Sequence, residues 1–320
     1  MTAFLARRAL LALPTLFLAS VITFLLLRMA PGGPVEALLG EEWGDSELAA
    51  DLRRDLHLDL PLWQQYFLWA GDALRGDLGR SLVLYRGQPV AGLILHRLAV
   101  TAELAALALC IALATAIPLG IVSAVNHNGL IDHAVRLATM AGLSIPNFFL
   151  GVLLILLFGV VWRLPWGVGG YVSPMQGLGE NLVHMLLPAV VLGTAHAAVI
   201  TRFTRAAMLD VLSQDFVRTA RAMGFSERRV LTLYSLKNAM VPVLTVVGNT
   251  AGALLDGAVI TESVFRIPGL GNLMVASVFA RDFPVVQALV LVAVAIRIVV
   301  NLTVDLLYGA VDPRIRYTVE

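Results

Sequence analysis

Six long apolar stretches dominate this chain and restrict what it can fold into. They lie near residues 9–28, 99–123, 136–161, 182–205, 239–263 and 285–309. A helix needs about 20 apolar residues to cross a hydrocarbon core about 30 Å thick. Only 14% of the residues are charged, whereas a soluble domain has about 25%. None of the stretches alternates like a barrel strand, so their backbone groups must be satisfied within helices. We predict an all-α polytopic membrane protein with six transmembrane helices.

Loop charges predict the orientation of these helices, because Lys and Arg collect on the cytoplasmic side of a membrane. Residues 202–237 contain seven basic and three acidic side chains, which places this segment in the cytoplasm. Residues 29–98 carry ten acidic side chains and suit the outer side. Six helices then put both termini in the cytoplasm. The first helix lacks a following small-residue cleavage site, so we expect an uncleaved anchor rather than a signal peptide.

The region after the first helix has its own helical patterns. Glu47–His57 and Pro61–Leu74 both show apolar residues at helical spacing. The second of these carries four aromatic side chains, namely Trp63, Tyr66, Phe67 and Trp69. Such residues favour a membrane interface. They would equally well pack an extracytoplasmic cap together, and the sequence leaves both interpretations open.

The basic segment between the fourth and fifth apolar stretches reads as two short helices. Gln214–Met223 forms the first helix, Gly224 separates the two, and Ser226 can cap the second. Phe225 is then expected to project at the corner. A helix–turn–helix with an apolar corner and basic surroundings suits a groove in a partner protein. The alternative is an amphipathic surface helix that binds anionic lipid.

Several motifs resemble the permease subunits of bacterial ABC importers, specifically the dipeptide/oligopeptide group, almost from end to end. The main motif is Asp215-Phe216-Val217-Arg218-Thr219-Ala220-Arg221-Ala222-Met223-Gly224-Phe225-Ser226-Glu227-Arg228-Arg229-Val230. Further matches are Gly76-Asp77-Leu78-Gly79-Arg80-Ser81, Gly142-Leu143-Ser144-Ile145-Pro146, Lys237-Asn238-Ala239, Glu262-Ser263-Val264-Phe265, Pro268-Gly269-Leu270-Gly271 and Asp312-Pro313-Arg314-Ile315-Arg316. Two departures are Arg218-Thr219-Ala220, where importers generally have Glu-Ala-Ala, and Pro31-Gly32-Gly33-Pro34, which lacks the Asp of Pro-Gly-Asp-Pro.

The resemblance implies a type-I ABC importer transmembrane fold, in which residues 206–237 form the loop that couples the permease to an ATPase. Its implied divisions are residues 1–98, a five-helix core over 99–310 and a cytoplasmic tail over 311–320. The implied coupling residues are Asp215, Arg218, Thr219, Ala220, Gly224, Phe225, Ser226, Arg228 and Arg229.

The resemblance also implies partners in a bacterial inner membrane. They are a second homologous permease, two cytoplasmic ATPase subunits that bind ATP and Mg, and an extracytoplasmic solute-binding protein. The implied cargo is dipeptides or short oligopeptides, with nickel chelates, glutathione or another small peptide-like solute as alternatives. Membrane lipid surrounds the chain, and no nucleic-acid partner is expected.

Four ionisable residues within the apolar stretches are candidates for the translocation path, because buried charge in a membrane is costly. Glu103 and Glu262 lie near the outer ends of their helices, where interfacial or capping roles are equally open. Asp256 and Arg297 lie deeper and form either a structural ion pair or part of a hydrated path that meets the termini of a peptide.

Several function classes are disfavoured by what the sequence lacks. No Gly-x-x-x-x-Gly-Lys-Ser/Thr phosphate loop occurs, so we expect a non-catalytic transport subunit without a cofactor of its own. The six His residues are scattered, which disfavours a metal site. A secondary transporter driven by an ion gradient is the remaining alternative, but no internal repeat supports it.

Overall fold

The computed structural model describes residues 2–29, 57–164, 166 and 170–311, together with the isolated positions 35, 50, 53 and 54. The predicted helix over Glu47–His57 therefore lies almost wholly outside the described residues. The motifs Pro31-Gly32-Gly33-Pro34 and Asp312-Pro313-Arg314-Ile315-Arg316 also lie outside them.

Helices account for most of the described chain and none of its residues forms a strand, which confirms the predicted all-α class. In chain order they are α1 (Thr2–Met29), α2 (Leu62–Leu74), α3 (Val90–Val125), α4 (Leu130–Ser144), α5 (Asn147–Val161), α6 (Leu178–Leu212), α7 (Asp215–Ala222), α8 (Glu227–Phe265), α9 (Leu270–Phe279) and α10 (Phe283–Val311). Residues Leu156–Val161 of α5 and Val230–Leu236 of α8 are wound as π-helix.

Four of the described helices, α3, α6, α8 and α10, are long and apolar enough to cross a membrane. A fifth crossing is available if α4 and α5 together count as one bent span. Helix α1 has 28 residues, and its segment Leu10–Leu25 is apolar but shorter than these four helices. The polytopic prediction is thus confirmed, and the count of six remains a prediction.

The third apolar stretch is not the single helix that was predicted over residues 136–161. It is broken between α4 and α5, which meet at 98°. The break follows from Pro146, because a proline disfavours helical geometry at the residue before it. Ile145 accordingly has an extended backbone with φ −81° and ψ 120°.

The described chain forms two compact units. The first contains residues 1–100 and 268–302, and the second contains residues 101–267 and 303–320. Helix α3 passes from the first unit into the second at Thr101, and α10 passes between them at Thr303.

In the second unit, α3 and α6 pack closely because glycines allow their backbones to approach. A Cβ at Gly120 of α3 would lie 2.6 Å from Cβ of Thr204 and 2.9 Å from the carbonyl oxygen of Thr201. A Cβ at Gly193 of α6 would lie 2.9 Å from the carbonyl oxygen of Ala108. The contact between Ala108 and Gly193 comes earlier in both helices than the contact between Gly120 and Thr204. Helices α3 and α6 therefore run parallel. Small residues favour such close packing of membrane helices.

In the first unit, a buried carboxylate fixes the turn that leads into α3. Asp282, just before α10, accepts a hydrogen bond from Ser81 Oγ at 2.5 Å. It also accepts from the backbone N–H groups of Leu82, Val83 and Leu84 at 3.0 to 3.1 Å. The end of the Gly76–Ser81 motif therefore serves to hold this turn in place.

Candidate functional site

Helix α7 has one buried and one exposed face. Val217 and Ala220 are buried in a cluster with Met208 of α6, Ala124 of α3 and Val230 of α8. Asp215, Arg218 and Thr219, in contrast, are exposed. The apolar face thus fixes α7 to the ends of three long helices, while the other face is open to a partner.

The turn after α7 requires a glycine. Gly224 has φ +79°, in the left-handed region that side chains other than glycine adopt at a cost. Its N–H donates to the carbonyl of Arg221 at 2.9 Å, and the N–H of Phe225 donates to the carbonyl of Ala220 at 3.3 Å. This pair of bonds is the Schellman termination of a helix. No atom lies within 4 Å of where a Cβ on Gly224 would be, so this position borders open space.

Phe225 does not project from the corner as the sequence suggested. It packs against the buried cluster of α7, with its ring 5.5 Å from that of Tyr234. The guanidinium of Arg229 covers the ring at 5.3 Å. The reason is the Schellman turn, which favours apolar contact between Phe225 and the last turn of the helix.

The start of α8 is held to the end of α7 by an ion pair rather than by a capping side chain. Ser226 occupies the predicted N-cap position of α8, but its hydroxyl makes no capping hydrogen bond. Arg221 and Glu227 form a two-pronged ion pair across the turn, at 2.8 and 3.3 Å. Since both side chains are exposed, this pair contributes at most about 1 kcal/mol and mainly orients the two halves of the turn.

The exposed face combines apolar and basic side chains. Met223 is 62% exposed and Phe216 is 38% exposed. Arg218, Arg228 and Arg229 surround them. We call the exposed part of residues 215–229 the loop surface. Large apolar groups within a basic rim are a composition typical of protein interaction sites.

A buried ion pair lies beside this region and joins three helices. Asp132 of α4 is fully buried and pairs with Arg205 of α6 through two bonds of 2.7 Å. Ser123 of α3 donates to the same carboxylate at 2.6 Å, and the N–H of Asn128 donates at 3.0 Å. Four hydrogen bonds from three residues thus satisfy one carboxylate, which rigidly connects the α3–α4 turn to α6.

Glu103 of α3 is held by a residue of α6 and by one of the segment before it. It accepts hydrogen bonds from the hydroxyl of Tyr171 at 2.8 Å and from Nδ2 of Asn181 at 2.6 Å. Burial, followed by the hydrogen bond to Glu103, raises the pKa of Tyr171 to about 12. The phenol therefore stays protonated and keeps donating at physiological pH.

The other three charges within the apolar stretches differ sharply in exposure. Glu262 of α8 is fully buried and accepts a hydrogen bond from Thr101 of α3 at 2.6 Å. Asp256, six residues earlier on α8, is exposed, and so is Arg297 of α10. Of the four candidates, Glu262 is thus fully buried and Glu103 is half-buried, whereas Asp256 and Arg297 are exposed.

Sequence reasoning missed Asp132, Ser123 and the two exposed apolar residues of the loop surface. The available signal for Asp132 was an acidic residue at the start of an apolar helix, with Arg205 at the same end of another. Among the described residues, no group of His, Cys, Asp and Glu could hold a metal ion.

The family of the chain follows from comparison with known proteins. The family described as "Binding-protein-dependent transport system inner membrane component" matches residues 116–317. The corresponding N-terminal family, "Binding-prot-dependent transport system membrane comp, N-term", matches residues 1–105. The chain belongs to this family of membrane-spanning transport components and is a multi-pass protein of the inner membrane.

Curated relatives match over essentially the whole chain. The dipeptide transport system permease protein DppB of Escherichia coli (strain K12) is 40% identical over 340 residues, covering 99% of both chains. The di/tripeptide transport system permease protein DppB of Pseudomonas aeruginosa (strain UCBPP-PA14) is 41% identical over 336 residues, again covering 99% of both. The oligopeptide transport system permease protein AppB of Bacillus subtilis (strain 168) is 38% identical, covering 99% of this chain and 100% of the relative.

A solved structure shares the fold. A chain of the MetNI methionine ABC transporter, crystallised in inward-facing conformations, superposes with a TM-score of 0.55 at 17% identity. The match covers 69% of this chain and 96% of that one. This supports the predicted type-I ABC importer fold, and the family membership favours it over a secondary transporter.

Proposed function

We propose that this chain is the membrane-spanning permease subunit of an ATP-driven importer that moves dipeptides or short oligopeptides. The observation that carries this proposal is the near-complete match to three peptide permeases at 38 to 41% identity. The names of these three relatives all refer to peptides, so peptides are the proposed cargo. The work of the chain is conformational, because it alternates between outward and inward access.

The loop surface is the proposed contact with an ATPase subunit. Its anchored face transmits movement, since Val217 and Ala220 pack directly on α3, α6 and α8. Its exposed face presents Phe216, Met223 and the arginines to a groove of the partner. The buried Asp132–Arg205 pair stiffens the same helix ends. A pull on the loop would therefore displace packed helices rather than bend a free segment.

The remaining parts of the assembly are assigned as follows. Two ATPase subunits bind and hydrolyse ATP with Mg, a second homologous permease completes the path, and a solute-binding protein delivers the cargo from outside. Both termini of this chain lie in the cytoplasm, because residues 202–237 are basic. Residues 1–98 form the first helix with its extracytoplasmic region, 99–310 form the core and 311–320 form the tail.

Replacing Gly224 with Trp tests the loop assignment. The new side chain would enter open space, so it would obstruct the partner more than the permease itself. We expect the ATPase subunits to copurify with the native chain from membranes, and to be lost or to hydrolyse ATP without transport in G224W. The matched control is Gly87→Trp, because Gly87 has the same φ of +79° and the same open surroundings. Equal recovery and equal coupled activity with both variants would refute the loop assignment.

Asp256 and Arg297 are the proposed charged groups of the translocation path. Both side chains are exposed although they lie in apolar helices, and charged residues in such helices commonly face water-filled cavities. Each could offer its charge to one terminus of a peptide. Glu262, which is fully buried, and Glu103, which is half-buried, are assigned to the structure of the helix ends.

The test of this path is uptake of a labelled dipeptide by Asp256→Asn in the assembled importer. We expect uptake to fall at least tenfold while ATPase subunits still copurify, because the loop surface is unaltered. Glu180→Gln is the control, since Glu180 is an exposed carboxylate in the first turn of α6. Native uptake of every peptide tested by D256N would remove Asp256 from the path.

A further inference from the structure

Helix α2 carries an apolar stripe that the packing of its own unit does not cover. Trp63, Phe67 and Leu74 are 61%, 66% and 91% exposed. Their spacing of four and seven residues places them on one face of the helix. The polar residues Asp72 and Arg75 lie on a different face and are also exposed. An amphipathic helix of this kind either lies in a membrane interface or is covered by protein.

A neighbouring face of α2 packs on α1, and the residues in contact indicate how deep α2 lies in the membrane. The hydroxyl of Tyr66 lies 2.8 Å from Oγ of Ser20. The rings of Tyr66 and Trp69 lie 5.5 and 5.9 Å from that of Phe24. These are residues of the first apolar stretch, not of the loop beyond it.

Arg28 marks the charged end of that stretch. Its guanidinium lies 5.1 Å from the centre of the Phe24 ring. At a rise of 1.5 Å per residue, Phe24 and Ser20 lie about 6 and about 12 Å before Arg28 along α1. Interfacial helices bury their apolar face about 5–10 Å into the boundary between headgroups and acyl chains. The depth at which α2 contacts α1 is therefore the depth of an interfacial helix.

Helix α1, on which α2 packs, also has an exposed apolar surface. Phe17, Leu18, Ile22 and Leu25 are all exposed, as expected of a helix that meets acyl chains. The start of α2 also provides its own hydrogen bonding, because Nε2 of the buried Gln65 donates to the carbonyl of Leu60 at 2.8 Å. Backbone groups near lipid need such internal partners.

We propose that α2 lies in the outer leaflet of the membrane, with Trp63, Phe67 and Leu74 against phospholipid acyl chains. Asp72 and Arg75 then face the headgroups and water. The chain is thereby anchored in the membrane by a half-inserted helix in addition to its spanning helices. The four aromatics of α2 divide between the two roles that the sequence left open, since Tyr66 and Trp69 pack on α1 and the other two face lipid.

Thiol accessibility tests the orientation of α2 in the assembled importer in liposomes. In a Cys110→Ala background, single cysteines replace Phe67 or, as the matched control, Arg75, which is the C-cap of the same helix. A membrane-impermeant maleimide reacts with the thiolate, which forms only in contact with water. We expect F67C to react at least tenfold more slowly than R75C, and both to react equally after denaturation. Equal rates in the intact assembly would overturn the proposal.

Tryptophan quenching identifies what covers the stripe. A variant that keeps Trp63 and has phenylalanine at the other tryptophan positions is reconstituted in phosphatidylcholine brominated on its acyl chains. We expect the fluorescence of Trp63 to fall by more than half relative to unbrominated lipid. A protected F67C thiol combined with unquenched Trp63 would mean that a protein subunit covers α2, and would equally overturn the proposal.

Discussion

The carboxylate of Asp132 joins residues that lie far apart in the chain. Its partner Arg205 is 73 positions away, and the ion pair is fully buried on the acidic side. Removing one member of a buried pair leaves the other charge without compensation, which typically costs about 3–5 kcal/mol. Asp132 is therefore more important for the rigidity of the helix ends beside the loop surface than any exposed charge of that surface.

Asp132→Asn tests this at the scale of the residue. We expect the variant to lower the melting temperature of the detergent-solubilised assembly by several degrees, because Arg205 loses its two 2.7 Å bonds to an anion. Asp210→Asn on α6 is the control, since Asp210 is exposed and surface substitutions change stability by about 0.5 kcal/mol or less. A melting temperature of D132N that equals that of D210N would contradict the buried-pair account.

The sequence could predict the role of a residue where that role depends only on its neighbours along the chain. Gly224 was predicted as the helix-ending glycine because its neighbours form helices on both sides. Phe225 was misplaced, because whether a corner side chain points outward depends on Tyr234 and the cluster beneath it. Asp132 and Asp282 were missed because their partners are brought together only by the fold.

At the scale of the elements, the long apolar stretches were predictable and their contacts were not. Length and hydropathy locate the long helices, although α3 begins at Val90 rather than near residue 99 and α8 begins at Glu227 rather than near residue 239. They do not show that α3 and α6 run parallel and in close contact. That contact depends on Gly120 and Gly193 meeting backbone atoms of the opposite helix. The break at Pro146 was a local signal, although the 98° angle that results from it was not predicted.

Gly120→Ala tests the contact between α3 and α6. The added Cβ would lie 2.6 Å from Cβ of Thr204, so the two helices must separate. We expect a loss of about 1–3 kcal/mol, typical of overpacking, read as a lower melting temperature and lower yield of the assembled importer. Gly142→Ala is the control, because its Cβ would find Ala198 and Thr194 at an ordinary 3.5 Å. A G120A variant as stable as G142A would show that the two helices are not so close.

At the scale of the whole molecule, the proposed function requires that a movement of the loop surface change access to the translocation path. The loop surface packs on the ends of α3, α6 and α8, and Asp256 lies further along α8. In the proposed function, ATP is hydrolysed by partner subunits, and the loop surface is the contact through which they act. The proposed function therefore depends most on the loop surface touching an ATPase subunit.

Photocrosslinking from Met223 measures that contact most directly. A photoreactive amino acid replaces Met223, at the exposed apex of the loop surface, or Met175, which is 99% exposed between α5 and α6 and serves as the control. Both variants are irradiated in native membranes, and the adducts are identified by mass spectrometry. The proposed contact between the loop surface and an ATPase subunit predicts a crosslink from position 223 to a nucleotide-hydrolysing subunit and none from position 175. Adducts from position 223 with lipid alone, in membranes where the importer is active, would contradict it.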